Sequence, residues 1–371
     1  MARYDAIVVG AGYAGLAAAA QLGGRRVLLL EARGSVVQKA RGSLGLALPL
    51  GAALELSGDE LVLPEHGLRV PGGVRAQVRR LELRGLRERA FLPLARPWLV
   101  LDERRLKGAW LRRVREAGVE VRLGVAAREV QVDGRLARVL ADQEHLARLV
   151  VAADGAHGPL AEQVNPGREK LGVLFQREVE LDRLDLGRET LLVQLLGPGR
   201  VFVALALGDR YQAGLLQIVG PHGVPADLDG ELSDRVERLG GGRRLAARAA
   251  MLKLYRPARH AYRANLLAAG DGLAAYGLAT IGGALAMGAL AGRCGNRFLA
   301  GSSFALPDYQ RAFRAASGQP ALERLRRLRP LWRLGPAGLD RWLRLGRLEG
   351  SQSLGPRWAR LPLQLARWLL L

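Results

Sequence analysis

One cysteine, five histidines and an aromatic content of only 5% set the first limits on this chain of 371 residues. A single thiol excludes an internal disulfide framework and a cysteine cage around zinc or an iron–sulfur cluster. The histidines are scattered and show no metal-ligand spacing. Aromatics are sparse, and Trp332, Trp342, Trp358 and Trp368 are four of only six tryptophans. No basic-and-aromatic stacking surface of the kind RNA needs can be assembled from them, so nucleic acid is not an expected partner. Acids are scarce too: 35 Asp and Glu face 56 Lys and Arg, a formal net charge of +21. Such a surface attracts anions, although many of the arginines simply alternate with leucine along solvated helix faces. Before the first apolar run there is no room for a signal peptide, and a cytoplasmic location is expected. The one long uncharged run, Gly272 to Gly292, holds six glycines in 21 residues. Glycine is costly inside a helix, and the run is too weakly apolar to span a bilayer. With 49% hydrophobic residues the chain has ample material for a core and is not disordered.

What is present begins at once. In "YDAIVVGAGYAGLAAAAQLGGRRVLLLEAR", Ala6 to Val9 has the form of a buried strand. Gly10, Gly12 and Gly15 follow as G-x-G-x-x-G, an alanine-rich helix is predicted over Leu16 to Leu22, and a second strand over Val27 to Leu30 ends in Glu31. In this pattern the first glycine makes the tight turn, the second lets backbone approach a pyrophosphate, and the third lets helix pack on strand. The helix N-terminus offers free N–H groups to phosphate. Glu31, 21 residues after Gly10, stands where an acid accepts a ribose hydroxyl. The pattern implies a dinucleotide without choosing between NAD and FAD.

Further along, Leu106, Trp110, Leu111 and Val114 sit at helical spacing, and Gly118 ends that helix. Asp133-Gly134 predicts a hairpin turn. Leu149 to Ala153 is a buried strand running into Asp154-Gly155, and Leu266 to Ala269 another running into Gly270-Asp271, a glycine-rich loop and a small-residue helix. Open α/β sheets bind ligands at such carboxyl ends.

These three signals, in this order, resemble the flavoprotein superfamily of p-hydroxybenzoate hydroxylase, squalene epoxidase and the geranylgeranyl reductases, over about residues 4–315. The resemblance implies one FAD. It places Gly10, Gly12, Tyr13, Ala14 and Gly15 at the first motif, Glu31, Ala32 and Arg33 after the second strand, and Arg104 at the start of the central helix. It places Asp154 and Gly155 at the middle motif, and Gly270, Asp271, Gly282, Gly283 and Ala284 at the last, where Asp271 meets the FAD ribose. "QKARGSLGLALPLGAALELSG" is similar to the reductases' K-x-C-G-G segment, with Lys39, Gly42 and Ser43 in register and Arg41 in place of the cysteine; Arg41 and Gly42 join the cofactor set. Several positions depart from the family. Gly158 and Ala161 stand for the usual Ser and Arg after Asp-Gly, Leu278 and Ile281 for Pro and Gly in the last motif, and the central-helix Arg falls at Glu103 or Arg104.

The expected fold is α/β: a Rossmann-like FAD-binding domain from 1–60, 98–160 and 255–315, an inserted β-sheet substrate domain from 61–97 and 161–254, and a basic helical tail, 316–371. "TLLVQLL", "RVFVALAL" and "YQAGLLQIV" are its predicted inserted strands. The resemblance implies an FAD-dependent oxidoreductase acting on a lipophilic, isoprenoid-like substrate, with an NAD(P)H- and O₂-dependent monooxygenase of aromatic or quinone-like substrates as the alternative. NAD(P)H is expected as a transient reductant, and there is no second dinucleotide fingerprint. His157, His222 and Asp209 read as surface residues, so no catalytic residue is named. In the tail, eleven arginines face three acids from Ala321 onward, with tryptophan among leucines and Pro330, Pro336, Pro356 and Pro362 as breaks. That is the composition of short helices lying at an anionic membrane surface, or of helices packed on the protein.

Overall fold

The computed structural model describes residues 2–37, 46–47, 54–155, 158–197, 199–220, 226–255, 258–273, 281–317, 337–341 and 344. The first apolar run forms the strand Ala2–Val9, longer than its apolar core because Tyr4 packs in the interior and donates its hydroxyl to Glu120 at 2.8 Å. This strand is parallel to Val27–Glu31 on one side and to Glu144–Ala152 on the other. Side chains buried on both faces explain the apolar runs Ala6 to Val9, Val27 to Leu30 and Leu149 to Ala152 within them. Glu120–Leu123 extends the sheet beyond Val27–Glu31. The hairpin Glu129–Val132 and Ala137–Leu140 extends it on the other side, turning where Asp133 accepts the N–H groups of Arg135 and Leu136. Leu266–Ala268 lies parallel to the end of Glu144–Ala152.

Helices α1 to α6, named here in chain order, lie among the described residues. α1 (Tyr13–Gln21) begins three residues before the position expected, because Gly12 is its N-cap and Gly15 lies within it. α2 (Glu103–Glu116) is capped by Asp102, which accepts from the N–H groups of Arg104 and Arg105. α3 (Pro159–Val164) is short; α4 (Leu228–Arg238) is capped by Asp227. α5 (Ile281–Leu299) and α6 (Ala305–Ser317) come next, with Tyr309 of α6 donating to the Ala268 carbonyl at 2.6 Å. Gly288 and Gly292 of α5 sit against Ala14 and Ala18 of α1: a Cβ on Gly288 would lie 2.1 Å from the Ala14 carbonyl oxygen, and one on Gly292 2.6 Å from that of Ala18. The uncharged, glycine-rich run is thus partly a close helix–helix seam. Among the described residues no helix is long and apolar enough to cross a membrane.

A second, mostly antiparallel sheet runs in the order Arg244–Tyr255, Lys170–Leu181, Tyr211–Val219, Arg200–Ala206, Thr190–Gly197, Val74–Arg84, Arg89–Leu101, Leu46–Ala47. Its predicted strands all appear. One face buries Val179, Leu181, Phe202 and Leu215 under Leu228, Leu232 and Val236 of α4. The other carries Leu81, Leu83, Val193, Val203 and Leu205, with Leu339 packed on them. A small sheet, Glu55–Ser57, Glu60–Leu63 and Leu68–Pro71, sends Leu61, Leu63 and Leu68 into the core of the first sheet.

Candidate functional site

The three glycines of the first motif have different neighbours. Gly10 adopts φ +97°, a conformation only glycine takes easily, and a Cβ there would lie 2.3 Å from the Ala153 carbonyl oxygen. A Cβ on Gly15 would lie 1.7 Å from the Gly10 oxygen. Both are dictated by the protein's own packing. Gly12 has nothing within 4 Å of its Cβ position. Among the described residues no atom requires a glycine there; what it leaves is open space. Gly12 caps α1 without a side chain, and the first turn holds no acid. Such an N-terminus presents its N–H groups and positive dipole end to an anion.

Glu31 lies beside this loop. One carboxylate oxygen accepts the Ala11 N–H at 2.8 Å, the other the Arg33 N–H at 3.1 Å. It fastens the glycine turn to the end of Val27–Glu31 and keeps further lone pairs for a hydroxyl. Ala32 is exposed and Arg33 half-buried at the same strand end.

At the neighbouring strand end, Asp154 turns under α3. One oxygen accepts the Leu160 N–H at 2.8 Å, and the other is buried with no hydrogen-bond partner among the described residues. Burial raises its carboxyl above the usual range, opposed by the hydrogen bond from Leu160. This arrangement explains both departures in the middle motif. A Cβ on Gly158 would lie 1.9 Å from the Asp154 carboxyl carbon, so a serine does not fit there. Ala161 faces Gly272, whose Cβ would come within 2.7 Å of the Ala161 methyl, leaving no room for an arginine.

The last motif meets the first. A Cβ on Gly270 would lie 2.7 Å from that of Ala14. Asp271 follows, half-buried, in the one-turn helix Gly270–Gly272, and Arg168 donates to the Gly272 carbonyl. Gly282 and Gly283 are buried and Ala284 half-buried in the first turn of α5. The ends of Ala2–Val9, Glu144–Ala152 and Leu266–Ala268 thus bring Gly10, Gly12, Gly15, Asp154, Gly155, Gly270 and Asp271 to one edge of the sheet. Lys39, Arg41, Gly42, Ser43, His157, His222 and Leu278 lie outside the described residues; Asp209 is exposed, as expected.

The central helix begins with the two positions at which the family's arginine falls, Glu103 and Arg104. Arg104 is exposed to solvent. The inward residues are Glu103 and Lys107, paired at 3.0 Å and both nearly buried. The Lys107 ammonium stands 4.6 Å from the centre of the Tyr13 ring. The Tyr13 hydroxyl is buried without a partner among the described residues, and burial, then Glu103 and Asp102, pushes its pKa well up. Helical spacing held the signal: 103, 107, 110 and 114 share the face that buries Trp110 and Val114. The second sheet supplies another unforeseen group, Glu178, buried and bonded to Gln176 and Gln212.

No family model and no curated relative matches this sequence. Solved structures do. A geranylgeranyl bacteriochlorophyll reductase-like protein from Thermoplasma acidophilum superposes with TM-score 0.79 at 15% identity, over 95% of this chain and 93% of that one. The p-nitrophenol 4-monooxygenase of Pseudomonas putida gives 0.63 at 19% identity, over 95% and 100%. A myxobacterial chondrochloren halogenase, a variant of FAD-dependent halogenases, gives 0.62 at 16%, over 88% and 82%. The chain therefore has the α/β fold, parallel sheet joined to a large antiparallel sheet, that these reductase-like, monooxygenase and halogenase structures share.

Proposed function

We propose that this protein is an FAD-dependent oxidoreductase acting on a lipophilic substrate of isoprenoid class. The observation that carries the reading is the open space at Gly12 over an uncapped helix N-terminus, with Glu31, Gly155 and Gly270-Asp271 around it. The residues suit the cofactor: backbone N–H groups of α1 hold the diphosphate, Glu31 and Asp271 accept ribose hydroxyls, and the first turn of α5 presents its N–H groups to the flavin. A bound flavin would supply two-electron chemistry, taking up hydride from a reductant and passing the electrons to a substrate or to O₂. The chain's part is to orient that group and keep water from it, and one face of the second sheet is largely Leu and Val, which suits an apolar substrate. NAD(P)H is the reductant in this reading, visiting rather than residing. The test is the purified protein itself: it is yellow, with about one FAD per chain, and NAD(P)H bleaches it.

The likeness to two monooxygenase and halogenase structures favours a second reading, hydroxylation of an aromatic or quinone-like molecule. Oxygen uptake that tracks NAD(P)H oxidation in the presence of substrate selects it; reduction of substrate without oxygen uptake selects the first.

A further inference from the structure

α1 and α5 run side by side in the same direction: Ala14 lies against Gly288, Ala18 against Gly292 and Leu22 against Gly295. Their C-terminal ends therefore emerge together. Between them opens a cleft of about 450 Å³, lined by Gln21 and Arg25 on one side and by Arg293, Asn296, Arg297 and Ala300 on the other. Arg293 and Arg297 are one turn apart on α5 and share a face. The nine residues of α1, about 13 Å of helix, separate this cleft from the glycine cradle.

The three guanidiniums are held in place, but mostly not by acids. Arg25 Nε donates to Asn296 Oδ1 at 2.7 Å, and Asn296 Nδ2 donates in turn to the Gln21 carbonyl at 3.2 Å. The Arg25 fork is thus fixed by its inner nitrogen, and among the described residues its two terminal nitrogens are uncommitted. Arg293 donates to the carbonyl of His66 at 2.8 Å and to its Nδ1 at 2.9 Å. Of the three, only Arg297 has an acid among the described residues: Asp308 at 2.8 Å, which Arg311 shares at 3.2 Å. Basic residues are common at helix C-termini, and two such ends together carry about one negative charge. That charge, Asp308 and the exposed Glu65 beside His66 face four guanidiniums, so positive charge is left over. An arginine loses side-chain freedom when it is held. Arg25 and Arg293 gain no ion pair for that loss among the described residues.

We propose that this cleft is an anion site, separate from the cofactor cradle, that takes a phosphate group through the remaining N–H groups of Arg25, Arg293 and Arg297. A guanidinium fork meets phosphate oxygens two at a time, and three forks on one cleft suit a phosphate or diphosphate better than a single carboxylate. Arg25 and Arg293 are half-buried and Arg297 is exposed, so the cleft is open to solvent. A soluble phosphate ester and the headgroup of an anionic lipid offer it the same chemistry. The inference goes beyond the oxidoreductase reading and does not rest on it.

Titration calorimetry with inorganic pyrophosphate tests this, on full-length protein saturated with FAD so that the cradle is filled, at about 0.15 M salt. Arg25→Gln is expected to weaken binding by about tenfold, the loss of one charge-assisted contact, and Arg293→Gln by about as much. Arg297→Gln, whose partner Asp308 keeps Arg311, replaces Arg293→Gln should that variant not fold. Arg243→Gln, at an exposed position beside the second sheet, removes the same charge and leaves the affinity unchanged. Flotation with vesicles containing phosphatidic acid separates the two sources. Reduced flotation of Arg25→Gln assigns the cleft to lipid headgroups; unchanged flotation with weakened pyrophosphate binding assigns it to soluble phosphates. If Arg25→Gln changes neither readout, or if Arg243→Gln loses as much affinity, the proposal is overturned and the binding is that of a generally basic surface. Failure here leaves the cofactor reading intact, and colourless protein that shows the Arg25 dependence sinks the cofactor reading alone.

Discussion

At Gly12 and Gly15 an added side chain has different meanings. Gly15→Ala places a methyl 1.7 Å from the Gly10 oxygen, a backbone atom that cannot yield cheaply, so the protein loses stability whether or not flavin is present. Gly12 has extended backbone at φ −73° and open space, so Gly12→Val folds with the native melting temperature of flavin-stripped protein. Its side chain occupies the diphosphate's place, and it is colourless. Thermal melts of stripped and reconstituted protein, with flavin absorbance, check both; a yellow Gly12→Val protein removes the fingerprint reading. Asp271→Ala is expected to fold and to lose most of its FAD, a buried ribose hydroxyl having lost its acceptor at a cost of about 1–3 kcal/mol. Full flavin occupancy in that variant unseats Asp271 from the role. Glu178 gives the pH dependence. Its folded pKa, about 7, lies above the ordinary 4.5 of a free glutamate, so the native state binds the extra proton between them. Stability from this group is full below the unfolded pKa and is lost as pH rises through about 7, by roughly 3 kcal/mol. Urea titrations from acid to neutral pH should show that decline in the native chain and its absence in Glu178→Gln.

Elements meet here through small residues and borrowed polar groups. α1 and α5 approach so closely that Gly288 has the Ala14 backbone oxygen where a Cβ would be. Gly288→Val must push the helices apart, at a cost of at least about 1–3 kcal/mol. Because α1 carries the Gly12 N-terminus, flavin affinity should fall with the melting temperature, whereas Gly12→Val loses flavin alone. At the other end of the molecule, the turn joining Val74–Arg84 to Arg89–Leu101 is tied to a residue far along the chain. Asp340 accepts the N–H groups of Arg87 and Glu88, at 3.0 Å and 3.1 Å for their shortest bonds, and fits only because Gly85 has no side chain. Asp340→Ala strands both donors and should cost about 1–3 kcal/mol without changing flavin content.

For the whole molecule, that contact changes the reading of the basic tail. Leu339 is buried on the second core and Asp340 on the turn beside it, so residues 337–341 belong to the folded body. A chain ending at Ser317 therefore loses core as well as charge. The membrane proposal belongs to the rest of the tail, whose Arg347, Arg357, Arg360 and Arg367 accompany Trp358 and Trp368. Full-length protein is expected to float with anionic vesicles, less with neutral ones and less at high salt, at about 1 kcal/mol per basic residue near the surface. Removal of residues 345–371 should weaken flotation while flavin content and melting temperature hold. Unchanged flotation in that truncation moves the membrane contact elsewhere.

Local chemistry settled much before any folding. Gly10, Gly12 and Gly15 between two apolar runs, Glu31 after the second, and Asp-Gly and Gly-Asp at later strand ends all rest on turn geometry and side-chain period, which short stretches of chain determine. The order of the strands was not legible in those runs and appears only in the folded sheet. What the sequence left open depended on neighbours distant in the chain. Whether Glu103 or Arg104 faces inward is decided by α2's burial against α1. Gly158 and Ala161 look like losses in the motif until Asp154 and Gly272 are seen to occupy the space a larger side chain would need. Gly214 stands beside Glu178 only because two antiparallel strands fix that register. Composition carries no information about register or steric exclusion; those arise when separate strands and helices compete for the same volume.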